Sequence, residues 1–409
     1  MKLGRTHLAS AAGTAALTAV LLAAAFPAGA QPAFDIALDP TLATLSGRVP
    51  RADDRTFAGQ LDAEYQAGGL RLWYALDAAS YLDEGDWATW LHGVGATARL
   101  LPKHSKARLY LGATGALRRN GSSWSEADYE SLGAFANVEL KPTTGLTLRG
   151  GYRFDTRRFA RLTAGLDQRE HDGFLSLHAN LPSRTTLIGE LHLGTKSYQG
   201  ETVAPASDTP GQPMPAAGSG GRGAGGIQGQ RPTVVLPAHL SAGSARAGRA
   251  NWMLRVAQSL FDRTGLSLQY SQRLTSGDVP PALISTPALF FDDGVYDDPF
   301  ASDALRLRAN LKQAFASGAW VEASGAWTRK DYRAAPALDA EGTALPDGAL
   351  RADRVWQASL AAVLPIFAGR TGAWSLELQP AWRWTRSRSN DAYYDYSSHA
   401  VTLGMSFSY

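Results

Sequence analysis

The chain lacks cysteine and carries little charge for its length. None of its 409 residues is cysteine, which excludes disulfides, thiolate metal sites and thiol nucleophiles. Charged residues make up 19% of the chain, the formal net charge is +3, and no run of lysine or arginine occurs. This near balance argues against a nucleic-acid-binding protein. Beyond residue 30, no apolar stretch approaches the roughly 20 residues of a membrane-spanning helix.

The N-terminal segment has the layout of a secretory signal peptide. Two basic residues precede an apolar run from Ala11 to Phe26, and the small-residue sequence "AGA" follows at 28–30. An uncleaved membrane anchor is the alternative, but the run is rich in alanine and ends in a cleavage signal. We therefore expect a signal peptide over 1–30 and an exported domain over 31–409. Without the two basic residues the net charge falls from +3 to +1.

Apolar and polar residues alternate with a period of two throughout the exported part. In "LRLWYALDAA" (70–79) the leucines share one face, and Arg71 and Asp77 lie on the other. The segments 107–119, 146–155 and 305–313 repeat this pattern. They approach the roughly 9–11 residues that cross a bilayer on a tilt, whereas strands of soluble sandwiches are shorter, at about 5–6 residues. The sequence predicts an all-β, antiparallel, up-and-down transmembrane β-barrel of about 16 strands, within a range of roughly 14–18.

The connections between predicted strands alternate in length. Short turns such as "QAGG" (66–69) and "PSRT" (182–185) alternate with longer segments, including a Gly/Pro/Ser-rich loop at 199–247 and an acidic loop at 276–302. This asymmetry is typical of outer-membrane barrels, and an even strand number puts both chain ends on the periplasmic side. The first predicted strand spans 42–49. Aromatic residues near strand ends are expected to form an interfacial girdle: Tyr65, Trp90, Tyr198, Trp252, Trp327, Tyr332, Trp382, Trp384 and Tyr409.

The chain finishes on a strand-like segment, "VTLGMSFSY" (401–409), with an apolar residue at every second position. Aromatic residues occupy the last and third-last positions, Tyr409 and Phe407, and Met405 precedes them on the same face. This ending resembles the C-terminal signature of Gram-negative outer-membrane β-barrels, a porin-like class. The resemblance implies a location in the outer membrane, contact with its lipid and lipopolysaccharide, and recognition of the last strand by the barrel assembly machinery.

Charged residues on the polar faces are expected to line the lumen. The predicted basic lining residues are Arg71, Arg108, Arg149, Arg153, Arg306, Arg308, Lys312 and Arg383. The predicted acidic lining residues are Glu139, Glu190, Glu322 and Glu377. Because basic rings favour anions, the pattern favours a channel for small polar solutes that prefers anions. The alternative is a closed lumen of ion pairs, with Glu322 opposite the basic ladder of its neighbouring strand.

Two other functions stay open. The barrel could be a surface anchor or export exit whose long loops bind a partner or polymer. It could also be a hydrolase, since Ser176 and His178 on one strand would face Glu190 and His192 on the next, with His178 opposite Glu190 and Ser176 opposite His192. No GxSxG motif accompanies them, so the expectation is no enzyme and no cofactor. Carboxylates of the acidic loop are a candidate hard-cation site: Asp292, Asp293, Asp297 and Asp298.

Overall fold

The computed structural model describes residues 33–47, 54–81, 88–101, 105–122, 125, 128–159, 167–199, 246–277, 299–339, 343–368, 375–392 and 394–408. Within these ranges sixteen β-strands account for most residues. The first eight strands are β1 (Ala33–Gly47), β2 (Asp54–Ala67), β3 (Leu70–Tyr81), β4 (Thr89–Arg99), β5 (Ala107–Asn120), β6 (Tyr129–Thr143), β7 (Leu146–Phe159) and β8 (Asp167–Asn180). The others are β9 (Thr185–Gln199), β10 (Arg246–Phe261), β11 (Thr264–Gly277), β12 (Ser302–Ala314), β13 (Trp320–Pro336), β14 (Leu350–Ala368), β15 (Ser375–Ser389) and β16 (Tyr396–Ser408). In the described ranges, no helix has the length and hydrophobicity to cross a membrane.

The strands form one closed antiparallel barrel. Each strand pairs with its sequence neighbours, and β1 pairs with β16, with Leu42 opposite Leu403. Closure removes both sheet edges, so every strand has a hydrogen-bonding neighbour on each side. The predicted fold class and the strand number are confirmed.

The first predicted strand had the largest error. It was expected to span 42–49, but β1 begins at Ala33 and ends at Gly47. Pro40 interrupts the alternation of Phe34, Ile36, Leu38 and Leu42, and proline and aspartate have low β-propensity, which hid this half of the strand. Pairing on both sides outweighs that local preference, since β1 is paired to β2 from Ala33 onward and to β16 from residue 37 onward.

The two faces of the sheet differ in polarity. On the apolar face large side chains are exposed, including Leu132 (68% exposed), Leu175 (59%) and Leu254 (50%). The polar face is the concave one, because side chains there reach past a whole strand. Arg249 on β10 donates a hydrogen bond to Asp172 on β8, and Arg306 on β12 donates one to Gln357 on β14. The apolar face is therefore the outside of the barrel, and the polar face lines the lumen.

The predicted aromatic girdle is correct in part. Trp90, Trp252, Trp327, Trp382 and Trp384 share the outward face with the exposed leucines, as does Tyr65. Tyr198 and Tyr332 were placed in the girdle wrongly, since both point inward and are buried, at 6% and 5% exposure. Both lie beside a lumen cation, Lys196 and Arg351 respectively, which stabilises the inward rings through cation–π contacts.

Connections of two kinds alternate around the barrel. One end carries tight turns such as 68–69, 144–145 and 262–263, and we call it the short-turn end. In the first of these turns Gly68 has a φ of +58°, a conformation in which glycine avoids steric cost. The other end, the long-loop end, carries the longer connections, and in bacterial outer-membrane barrels an end of this kind is extracellular.

Several sequence predictions fall on residues that the structure does not describe. The expected signal peptide, Tyr409 and the candidate cation-binding residues Asp292, Asp293, Asp297 and Asp298 lie outside the described ranges. The predicted loop 199–247 begins and ends within strands, since β9 extends to Gln199 and β10 starts at Arg246. The predicted loop 276–302 is likewise shorter, because β11 extends to Gly277 and β12 starts at Ser302.

Candidate channel lumen

The charged residues predicted to line the lumen all lie on the polar, inward face of their strands. They are Arg71, Arg108, Arg149, Arg153, Arg306, Arg308, Lys312, Arg383, Glu139, Glu190, Glu322 and Glu377. They are not brought together as one site. Some are neutralised by ion pairs, and others form a patch without carboxylates.

Glu139 is the centre of the most extensive charge cluster near the short-turn end. Its carboxylate accepts hydrogen bonds from Arg149 Nε at 2.9 Å and Arg108 Nη1 at 3.1 Å, and Lys141 Nζ lies at 3.5 Å. The Glu139 side chain is only 9% exposed, while the three cations are 31–55% exposed. One buried carboxylate thus holds three basic side chains against the wall.

We expect Glu139→Gln to lower the free energy of unfolding by about 1–3 kcal/mol, because three cations lose their shared counter-charge. The effect is smaller than for a fully buried pair, since water screens the cations. Urea unfolding in detergent micelles measures it. Glu64→Gln is the matched control: its single pair with Arg71, at 2.6 Å, is well exposed, so the expected loss stays below about 1 kcal/mol. Equal losses in the two variants would contradict this account.

A second group of arginines on β10–β12 has no carboxylate partner. Gln269 on β11 lies directly opposite Arg255 on β10 and Arg308 on β12. Arg306 lies two residues before Arg308, on the same face of β12. We call Arg255, Arg306 and Arg308 the lumen basic patch. In the described part of the chain none of the three forms an ion pair with a carboxylate.

The lumen basic patch is held by neutral groups. Arg255 donates to Ser267 Oγ at 3.4 Å, Arg308 Nε to Asn310 Oδ1 at 2.8 Å, and Arg306 to Gln357 Oε1 at 3.4 Å. The Nε atoms of Arg255 and Arg306 are buried and have no hydrogen-bond partner among the described residues. Because its partners are neutral, the patch keeps its full positive charge.

The expected pairing of the basic ladder with Glu322 is not formed. Lys312 lies directly opposite Glu322 in the register of β12 and β13. Its ammonium group instead sits over the Trp320 ring, 3.8 Å from the centroid. Among the described residues, Glu322 forms no ion pair with the patch. Ion pairs of the kind expected for a closed lumen therefore occur in the Glu139 cluster but not in the lumen basic patch.

A further charge network near the long-loop end was missed from sequence. Arg249 donates to Asp172 Oδ2 at 2.7 Å and to Glu170 Oε1 at 3.3 Å, and His192 Nδ1 lies 3.1 Å from Asp172 Oδ1. Phe300, which ends the loop before β12, is fully buried, with its ring 4.6 Å from the Arg249 guanidinium carbon. The inward position of Arg249 could have been found from the alternation of β10, but its partners could not.

The strand register on which the hydrolase hypothesis depended was predicted wrongly. Ser176 lies opposite Glu190, and His178 lies opposite Ile188. His192 lies opposite Phe174, whose ring stacks on the imidazole at 5.7 Å. The turn is centred one residue earlier than expected, which shifts each pairing by two residues. In the described residues, no hydrogen bond joins a serine to a histidine, and no group of histidines and carboxylates has metal-binding geometry.

The last strand, β16, also has an apolar outward face. Met405 continues the exposed apolar row of β16, and Phe407 pairs with Leu38 and Leu376. A closed barrel satisfies its backbone hydrogen bonds internally, and an apolar exterior around a charged interior is the arrangement that suits a bilayer. The chain folds as a transmembrane β-barrel. Recognition of its last strand by the barrel assembly machinery stays a prediction.

Comparison with solved structures found similar chains. This chain is similar to Pseudomonas aeruginosa OprD, with 13% identity, 92% of this chain and 95% of that chain covered, and a TM-score of 0.43. It is also similar to P. aeruginosa OpdO, with 13% identity, 92% of this chain and 97% of that chain covered, and a TM-score of 0.46. A third similar structure is P. aeruginosa OccK2 (OpdF) in complex with glucuronate, with 11% identity, 92% of this chain and 96% of that chain covered, and a TM-score of 0.45. No family model matches the chain, and no curated protein matches it in sequence.

Proposed function

We propose that the barrel is a passive channel for small polar solutes and that it favours anions. The observation that carries the proposal is the lumen basic patch, Arg255, Arg306 and Arg308, whose charges no described carboxylate neutralises. Barrels of 16–18 strands are wide enough to leave an aqueous channel. A wall with uncompensated positive charge raises the local concentration of anions in that channel.

The contrast within the lumen supports the anion preference. The Glu139 cluster gathers three basic side chains around one carboxylate, which cancels one of their three charges. The lumen basic patch instead uses serine, asparagine and glutamine oxygens to hold its guanidinium groups, and these cancel none of its three charges. Guanidinium groups suit the oxygens of a passing carboxylate or phosphate.

Conductance of the purified barrel in planar bilayers under a KCl gradient tests the proposal. We expect discrete conductance steps and a reversal potential displaced towards the chloride equilibrium potential. A reversal potential of the opposite sign would contradict the anion preference. A folded barrel that never conducts would contradict the channel itself and favour a barrel that anchors or exports a partner.

A further inference from the structure

Three arginines form a row on the outward face at the long-loop end. Arg329 on β13 lies directly opposite Arg354 on β14, and Arg354 lies directly opposite Arg388 on β15. We call these three residues the outer arginine row. Directly opposed residues have Cβ atoms only about 4.5–5.5 Å apart, so like charges in this arrangement repel each other.

The charge of this row is only partly neutralised by the protein. Arg329 Nε lies 2.9 Å from Asp331 Oδ2. Arg354 and Arg388 are exposed, and in the described part of the chain neither forms an ion pair. The Arg388 guanidinium lies over the Trp356 ring at 5.7 Å, which orients the side chain without cancelling its charge.

Other charged groups on this outward surface are already paired. Arg333 contacts Asp303 at 3.2 Å, and Arg386 contacts Asp395 at 2.8 Å. These carboxylates are therefore occupied by their own arginines. An excess of positive charge stays at Arg354 and Arg388, where two adjacent guanidinium groups face outward.

The position of the row relative to the membrane follows from its neighbours. Trp327 lies opposite Trp356 on the same outward face, two residues closer to the middle of the barrel than the arginines of the row. Trp382 and Leu360, which are also opposite each other, continue that apolar surface. Tryptophan concentrates at the membrane interface, so the outer arginine row lies at the headgroup level. Because the long-loop end is extracellular, this is the headgroup level of the outer leaflet.

Elsewhere on the barrel, one group of outward arginines at the same end has a carboxylate between its members. Glu130 on β6 lies opposite Arg158 on β7, and it accepts a bond from Arg119 on β5 at 3.3 Å. The protein itself neutralises that group. In the described part of the chain, no carboxylate lies between the members of the outer arginine row. An anionic group of the membrane can therefore act as their counter-ion.

We propose that the outer arginine row binds the phosphate groups of a glycolipid of the outer leaflet, such as lipopolysaccharide. Adjacent guanidinium groups recognise phosphate by paired, charge-assisted hydrogen bonds. The tryptophans below the row would contact the acyl chains of the same lipid. The site is on the outside of the barrel and is independent of the proposed channel.

Binding of fluorescently labelled lipopolysaccharide to the full barrel in neutral detergent tests the site. Arg354→Gln/Arg388→Gln is expected to weaken binding at least about tenfold, since the charge-assisted contacts of two guanidinium groups to phosphate are lost. The matched control is Arg119→Gln/Arg158→Gln, which removes the same charge next to Glu130 and should leave affinity within about twofold. Arg354→Lys/Arg388→Lys should keep part of the affinity.

The comparison ligands separate the sources of phosphate. Dephosphorylated lipopolysaccharide should bind the wild-type barrel as weakly as intact lipopolysaccharide binds the double glutamine variant. Free inorganic phosphate should compete poorly, because it lacks the acyl chains. Equal affinity of wild type and double variant, tight binding of the dephosphorylated lipid, or efficient competition by inorganic phosphate would each overturn the proposal. The heat-dependent gel shift of each variant, matched to wild type, shows that it is folded.

Discussion

Asp353→Asn is expected to lower the free energy of unfolding by about 3–5 kcal/mol, the largest loss among the substitutions considered. Asp353 and Arg351 form a pair on the lumen side near the long-loop end, with side-chain exposures of 3% and 8%. Arg351 Nη2 donates to Asp353 Oδ2 at 2.5 Å, and its Nε contacts both carboxylate oxygens at 3.0 Å.

The surroundings make this pair hard to replace. The Arg351 guanidinium carbon is 4.3 Å from the Tyr332 ring centroid and 2.9 Å from that of Tyr394, so it is enclosed by two aromatic rings. Asparagine keeps the shape of Asp353 but removes its charge. The guanidinium then stays buried without a counter-charge, and its desolvation is no longer offset.

Urea unfolding followed by tryptophan fluorescence measures the loss. Asp347→Asn is the control: this exposed loop carboxylate accepts only a backbone bond from Ala349, which an amide oxygen can also accept, so the change should stay within about 0.5 kcal/mol. The double change Arg351→Met/Asp353→Leu should recover most of the stability, because it removes both buried charges. A loss below about 1 kcal/mol in Asp353→Asn would show that water reaches the pair.

Reversing the lumen basic patch is expected to turn the channel from anion-favouring to cation-favouring. In water, the interaction energy between one unit charge and a permeating ion about 10 Å away is about 0.4 kcal/mol. Screening at 0.1 M salt reduces this energy by about a factor of e. The triple change Arg255→Glu/Arg306→Glu/Arg308→Glu alters the charge by about six units, or roughly 0.9 kcal/mol in total. Because this change disfavours anions and favours cations by the same amount, the anion-to-cation permeability ratio should fall roughly twentyfold, and further at lower salt.

Reversal potentials in a KCl gradient measure this change. The control reverses the same number of charges on the outward face, at Arg119, Arg158 and Arg169, where the wall of the barrel separates the charges from the pore. Its selectivity should match that of wild type. An unchanged ratio in the triple lumen variant would mean that permeating ions do not pass the patch, and the proposed selectivity mechanism would be wrong.

Much of the fold could be predicted because alternation is a local property. The segment 70–79 has the same faces in the barrel as in the pattern, and β3 (Leu70–Tyr81) contains the whole segment. Alternation also indicates that Tyr198 points inward, because this residue shares the phase of Glu190 and His192. A position near a strand end does not determine which face a side chain occupies, and the girdle prediction for Tyr198 is wrong for that reason.

Pairings between strands could not be obtained in the same way. A one-residue displacement of the turn between β8 and β9 moved His192 away from Ser176 and towards Asp172. Lys312 and Glu322 are opposite each other as expected, yet the Lys312 ammonium stacks on Trp320. Turn geometry and competing side-chain contacts decide these outcomes, and neither is contained in the alternation of a single segment.

The amino-acid pattern alone established that the chain has one lipid-compatible face and one wet face, because side chains on a strand alternate wherever the strand is placed. Closure of β1 on β16, the convergence of Arg255 with Arg306 and Arg308, and the row of Arg329, Arg354 and Arg388 were decided only in three dimensions. The physical reason is that each of these depends on hydrogen-bond ladders between segments far apart in the chain. Those ladders exist only after the whole sheet has formed and its ends have met.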